Sequence, residues 1–147
     1  MTRTTETTSI RKLREATVKE HIDAENRHDP DATVATFSSA KASYDIPAFG
    51  DAGQVPDHAA IRELFVGMYS VFPDFHIVPG PCVMVTTTYS LRSACPALST
   101  PTGRESQLQV GHLTRVAALY EFEQDQLVCE RVYMDFGEIA RQLGGTT

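Results

Sequence analysis

Residues 115–144 read RVAALYEFEQDQLVCERVYMDFGEIARQLG, two β-favouring runs around the polar break Gln124-Asp125-Gln126, followed by a short helical stretch. Alternation with a period of two predicts an antiparallel hairpin, whose turn lacks the usual glycine. In the second run that period puts Leu127, Cys129, Arg131, Tyr133 and Asp135 on one face, and Val128, Glu130, Val132, Met134 and Phe136 on the other. Asp135 therefore closes a strand among Tyr133, Met134 and Phe136. A carboxylate there is either a strand-end cap or an acid held in a cavity.

The segments upstream of the hairpin read as helices. Residues 1–9, rich in threonine and without periodicity, suggest a flexible tail, and residues 10–147 a single domain. From Ile10 to His28 the spacing of Ile10, Leu13, Val18, His21 and Ile22 gives one inward helical face, which also carries Glu25 and His28. Asp29 then caps, with Pro30 at the first helical position, a short helix through Val34 and Phe37. Residues 42–49 read as an extended segment broken by Pro47, as suits an edge strand, and residues 50–56 as loop. Asp57 is placed to cap a third helix bearing Ile61, Leu64, Phe65, Met68, Tyr69 and Phe72, a stripe that is either core or the wall of a pocket. Strands follow from Phe75 onward, and residues 138–143 close the chain as a last helix. Helices followed by strands make an α+β fold: three N-terminal helices packed against a strongly bent, cone-shaped antiparallel sheet.

Composition narrows the function classes. A chain of 147 residues suffices for one real core. Its net charge of -6 argues against nucleic acid or an anionic membrane as partner. No apolar run reaches membrane-spanning length and the N-terminus has no signal-peptide pattern, so a cytoplasmic protein is expected. Three widely spaced cysteines, Cys82, Cys95 and Cys129, read as free thiols. The five histidines form no metal-binding spacing, and the helical pair His21 and His28 shows no third ligand, so no metal is expected.

Three stretches, AENRHDPDATVATF, AIRELFVGMYSVFPDFHI and LYEFEQDQLVCERVYMDFGEIARQLG, resemble the SnoaL-like polyketide cyclases of the nuclear-transport-factor-2-like superfamily. The resemblance covers residues 10–81 and 115–144. It rests on Asn26-x-His28-Asp29, on Phe72-Pro73-Asp74, and on Tyr133-x-Asp135 with Gln142-Leu143-Gly144. It implies a cone-shaped fold, a homodimer, no cofactor, and an acid/base role for the aspartate matching Asp135. Between Val83 and Leu113 the family's Gly-Thr-His strand and Gly-x-Pro-x-Thr-Gly-Arg motif are absent. Back-translated codons read from the third base permit Gly-Thr over residues 96–98, His over residues 99–100 and Gly-Ile-Pro-Ala-Thr-Gly-Arg over residues 104–111, which suggests that residues of about 83–113 are translated out of frame between two compensating shifts, in the gene or in the recorded sequence.

The chemistry expected is that of a lone carboxylate in an apolar cavity, whose raised pKa lets it take and return a proton near neutral pH. It would drive an intramolecular aldol closure of a small apolar or aromatic, polyketide-like substrate. Phe65, Tyr69 and Tyr133 would supply aromatic walls. Arg131 would hold a substrate oxygen or pair with Glu121 or Glu123. His21, Glu25 and Asn26 complete the candidate binding residues. Fold likeness alone does not choose among cyclase, isomerase, dehydratase and epoxide hydrolase. A non-catalytic binding or dimerisation module, and a defective cyclase relic, are the alternatives.

Overall fold

The hairpin forms as expected, between β6 (Thr114–Glu123) and β7 (Gln126–Met134). In place of a turn glycine, Gln124 takes a left-handed φ of 56°. Strict alternation does not survive. Glu121 pairs with Cys129 and Phe122 with Leu127, so Val128 is an extra residue, a β-bulge. The bulge reverses the parity of β7: Leu127 faces the core, and beyond the bulge so do Glu130 and Val132, opposite the buried Tyr120 and Ala118 of β6. Glu130, not Asp135, is therefore the acid this strand buries.

The computed structural model describes residues 3–38, 40–80, 83–86, 91–99 and 114–142. Before the hairpin come α1 (Arg3–Asn26), α2 (Pro30–Ala35), β1 (Ser43–Asp45), a 3-10 segment (Pro47–Gly53), β2 (Gln54–Val55), α3 (His58–Val71), β3 (Ile77–Pro79), β4 (Val83–Thr86) and β5 (Leu91–Ser99); α4 (Phe136–Gln142) follows it. The helix α1 starts inside the stretch read as a tail. Asp29 and Asp57 cap α2 and α3 as expected, each accepting a backbone amide at 2.9 Å. Residues 87–90 and 100–113, and with them most of the stretch read as out of frame, lie outside the described residues.

The sheet runs β2-β1-β7-β6-β5-β3, with β4 also paired to β5. Two expectations need correction. The strand β1 is not at the edge, because the two-residue β2, in the stretch read as loop, covers its outer side. The sheet is also not wholly antiparallel. Strands β1 and β7 run parallel, since no hairpin turn but most of the chain connects them and leaves their direction free.

Helix α1 packs on both β7 and β3. In a flat sheet these strands, three positions apart, would be about 14 Å from each other. The helix meets β7 through His21 and β3 through Asn26, within about 7.5 Å of helical rise. The sheet bends around the helix. Between the layers lie Val18 and Ile22 of α1, Ile61 and Phe65 of α3, and Tyr120, Phe122, Leu127 and Val132 of the hairpin. Each such side chain contributes roughly 1.5–3 kcal/mol by leaving water. Arg14, buried midway along α1, donates to the carbonyl of Gln124 and lies 5.5 Å above the Phe122 ring, which ties the helix to the hairpin turn.

Candidate functional site

Polar groups cluster in the middle of this core. On α1, His21 and Glu25 are one turn apart and share the inward face, as the helical period requires. The bulge aims Glu130 of β7 at the same point. The three side chains are 0%, 2% and 2% exposed. His21 Nε2 lies 2.8 Å from Glu130 Oε2 and 3.7 Å from Glu25 Oε1. Burial of such groups is costly unless they are paired.

Hydrogen-bond direction fixes the histidine. Thr36 Oγ1 donates its one hydrogen to the carbonyl of Thr33 at 2.7 Å, so toward His21 Nδ1, 2.6 Å away, it accepts. Nδ1 therefore carries a proton, and Nε2 is the atom turned to the carboxylates. Burial works against the imidazolium, but the charges of Glu130 and Glu25 outweigh it and raise the His21 pKa. Glu25 is pushed up to about 8, first by burial and then by the neighbouring Glu130, with His21 opposing. The cluster thus favours the protonated forms of both His21 and Glu25. Among the described residues Glu25 Oε2 has no hydrogen-bond partner.

The three donor atoms lie within 4.8 Å of one another, so the structure does supply the missing third ligand for a cation. The spacing favours a proton. Two ligands at the tetrahedral angle around a metal at about 2.0 Å sit about 3.3 Å apart, whereas Nε2 and Oε2 are at the hydrogen-bond distance of 2.8 Å.

Aromatic rings enclose the cluster. His21 meets Phe37, Tyr120 and Phe65 edge-on, with centroids 5.2, 5.7 and 6.4 Å away. Tyr44 and Tyr69 pack against Phe65 at 5.6 and 5.9 Å. Burial, followed by the charges of Glu130 and Glu25, raises the Tyr44 phenol well above its ordinary value. Tyr69 is raised by burial and then by Glu25.

Of the residues singled out from sequence, His21, Glu25, Phe65 and Tyr69 come together here. The others do not. Asp135 is exposed and its Oδ1 accepts the amide of Glu138 at 2.9 Å, the cap of α4. Tyr133 is 45% exposed. Arg131 faces outward, bonded to Asp45 at 2.6 Å and to Glu121 at 3.0 Å. Asn26 is committed to the backbone of Ile77, donating to its carbonyl at 2.9 Å and accepting its amide at 2.6 Å. Sequence reasoning missed Glu130, Thr36, Tyr44, Phe37 and Tyr120.

Helix α1 and strand β7 border a cleft of about 590 Å³ that opens beside α2 and the hairpin turn, and Thr36 and Phe37 form part of its wall. Among the described residues no helix is long and apolar enough to cross a membrane.

The fold is shared with solved structures of low sequence identity. A putative isomerase from Bacillus subtilis superposes with a TM-score of 0.69 at 10% identity, over 93% of this chain and 96% of that one. A phenazine biosynthesis-related protein from Pseudomonas aeruginosa gives 0.63 at 14% identity, over 95% and 90%. The epoxide hydrolase/cyclase-like enzyme SalBIII, of pyran ring formation in the polyether salinomycin, gives 0.64 at 19% identity, over 87% and 95%. No curated protein matches the sequence. The model of the SnoaL-like domain matches residues 18–130, a span that holds the whole His21–Glu25–Glu130 cluster, and the chain belongs to this family.

Proposed function

We propose that the protein is an acid–base enzyme of the cyclase/isomerase type, acting on a carbonyl-bearing, polyketide-like small molecule, with Glu25 as the group that moves the proton. The observation that carries this reading is the buried cluster itself. Glu25, pushed up to about 8, favours its protonated form beside His21 and Glu130, and its Oε2 has no hydrogen-bond partner among the described residues. A carboxyl with a pKa of about 8 exists in both forms near neutrality, as proton transfer in both directions requires. In an intramolecular aldol closure the carboxylate takes the proton α to one carbonyl. The resulting enolate carbon bonds to a second carbonyl carbon, and the same proton returns to the new alkoxide. Atoms balance without a further reagent. The partly exposed Tyr69 is the aromatic side chain at which such a substrate would reach Glu25.

The test is deuterium uptake at the α-carbon of 1,3-diketones and aryl ketones in heavy water, followed by NMR. Wild type is expected to accelerate exchange over buffer, Glu25→Gln to abolish the acceleration, and Asp135→Asn to keep it. If Asp135→Asn loses exchange while Glu25→Gln keeps it, the aspartate of the strand end is the base instead. Wild type no faster than buffer would remove the enzyme reading.

A further inference from the structure

Thr36 is the residue just past α2, and its position has two aspects. Its hydroxyl hydrogen goes to Thr33 and its lone pair to His21 Nδ1, which leaves the imidazole no choice of which nitrogen faces the carboxylates. Its side chain is also part of the wall of the cleft beside α2, so it lies between the cluster and solvent. His21, Glu25 and Glu130 are themselves without exposed surface to speak of. Among the described residues, only Thr36 both bonds to the cluster and borders the cleft.

We infer that Thr36 is the positioning residue of the cluster, fixing His21 with Nδ1 protonated and Nε2 toward Glu130, and that the proton exchange of His21 with solvent runs through its hydroxyl. The exchange step balances. Nδ1 gives its proton to Thr36 Oγ1 as the hydroxyl turns from Thr33 and releases its own hydrogen to a water in the cleft. The groups facing His21 are Glu25 on its own helix, Glu130 on β7, Tyr120 on β6 and Thr36 after α2, with the Tyr44 and Tyr69 phenols of β1 and α3 close enough to feel both carboxylates. Nδ1 itself is hydrogen-bonded to Thr36 Oγ1. The inference rests on the acid–base reading of the cluster, yet it is tested with no substrate present.

The experiment is NMR of the ¹⁵N-histidine-labelled protein, comparing wild type with Thr36→Ser and Thr36→Val. Valine is close to threonine in volume, so the fold is retained while the acceptor is lost. In wild type His21 is expected to carry a proton at Nδ1. In Thr36→Val the Nδ1 proton is lost first while Nε2 keeps its own toward Glu130, the titration midpoint of His21 falls by about one pH unit, as loss of a bond to a charged donor implies, and ring-proton exchange slows about tenfold. Thr36→Ser behaves as wild type, which a packing role for the threonine methyl would not produce. A wild-type His21 bare at Nδ1 overturns the inference, as does Thr36→Val with tautomer, midpoint and exchange unchanged. Loss of the wild-type pattern in Thr36→Ser overturns it too. Failure of the proposed function would show in the α-proton exchange of the wild type and leave these spectra as expected.

Discussion

Glu25→Gln should change how stability depends on pH more than it changes stability itself. In the unfolded chain a glutamate titrates near 4.5, and in the folded protein Glu25 does so at about 8. The folded state holds the proton more tightly, so the contribution of Glu25 is in full below pH 4.5 and is lost as pH rises through about 8. Each pH unit in that window costs about 1.4 kcal/mol, and the window sets a ceiling of about 5 kcal/mol. His21 and Glu130 share the charge and bring the actual figure below that ceiling. Glutamine has the shape of the protonated acid and does not titrate. Urea denaturation at intervals from pH 5 to pH 9 should show wild type losing a few kcal/mol toward the alkaline end. Glu25→Gln should follow a flatter curve that meets or crosses the wild type above pH 8. Parallel curves for the two proteins would refute the argument, because they would mean that Glu25 is ionised throughout.

Three other outcomes follow from the same structure. Glu130→Gln removes the anion that supports the buried His21 cation; chemical denaturation should show a loss of about 3 kcal/mol at pH 6. Because the His21 pKa is raised, its contribution is in full below the unfolded value near 6.5 and fades as pH climbs, so the loss should be smaller at pH 9. Asp135→Ala deletes the cap of α4 and should cost about 1 kcal/mol in the same assay. Phe65→Ala, at a site with no exposed surface and ring contacts to His21, Tyr44 and Tyr69, should cost about 3–5 kcal/mol by leaving a cavity. For the stretch between Val83 and Leu113, sequencing the coding DNA should reveal Gly-Thr and Thr-Gly-Arg in the shifted frame; a shifted frame without them ends the frame-shift explanation.

Much of the architecture was legible because it rests on local rules. Caps at Asp29 and Asp57, the apolar stripe of α3 and the closing hairpin depend on neighbours in sequence, and these were found. The parallel partnership of β1 with β7 and the two-residue β2 depend on contacts far along the chain. The site was half legible for a similar reason. His21 and Glu25 on an inward helical face were noticed, since helical periodicity is robust over several turns. Their partner Glu130 is visible in the sequence as an acid beside Val132 and Met134 on an otherwise apolar face, whereas Asp135 stands out only by its place at the strand end. An unbroken period of two also placed Leu127 with Asp135 and away from Glu130. The bulge at Val128, with no glycine or proline to mark it, is what reconciles a buried Leu127 with a buried Glu130.

That one surplus residue has a meaning for how such a chain could change. Were Val128 deleted, Cys129 would still lie opposite Glu121 and Glu130 opposite Tyr120, so the acid would keep its place in the core and the strand would lose only its bulge. What decides which side chain enters the aromatic chamber is the residue opposite Tyr120, not the number of residues between it and the turn. A triplet lost at the bulge is therefore a change in length that the buried cluster absorbs.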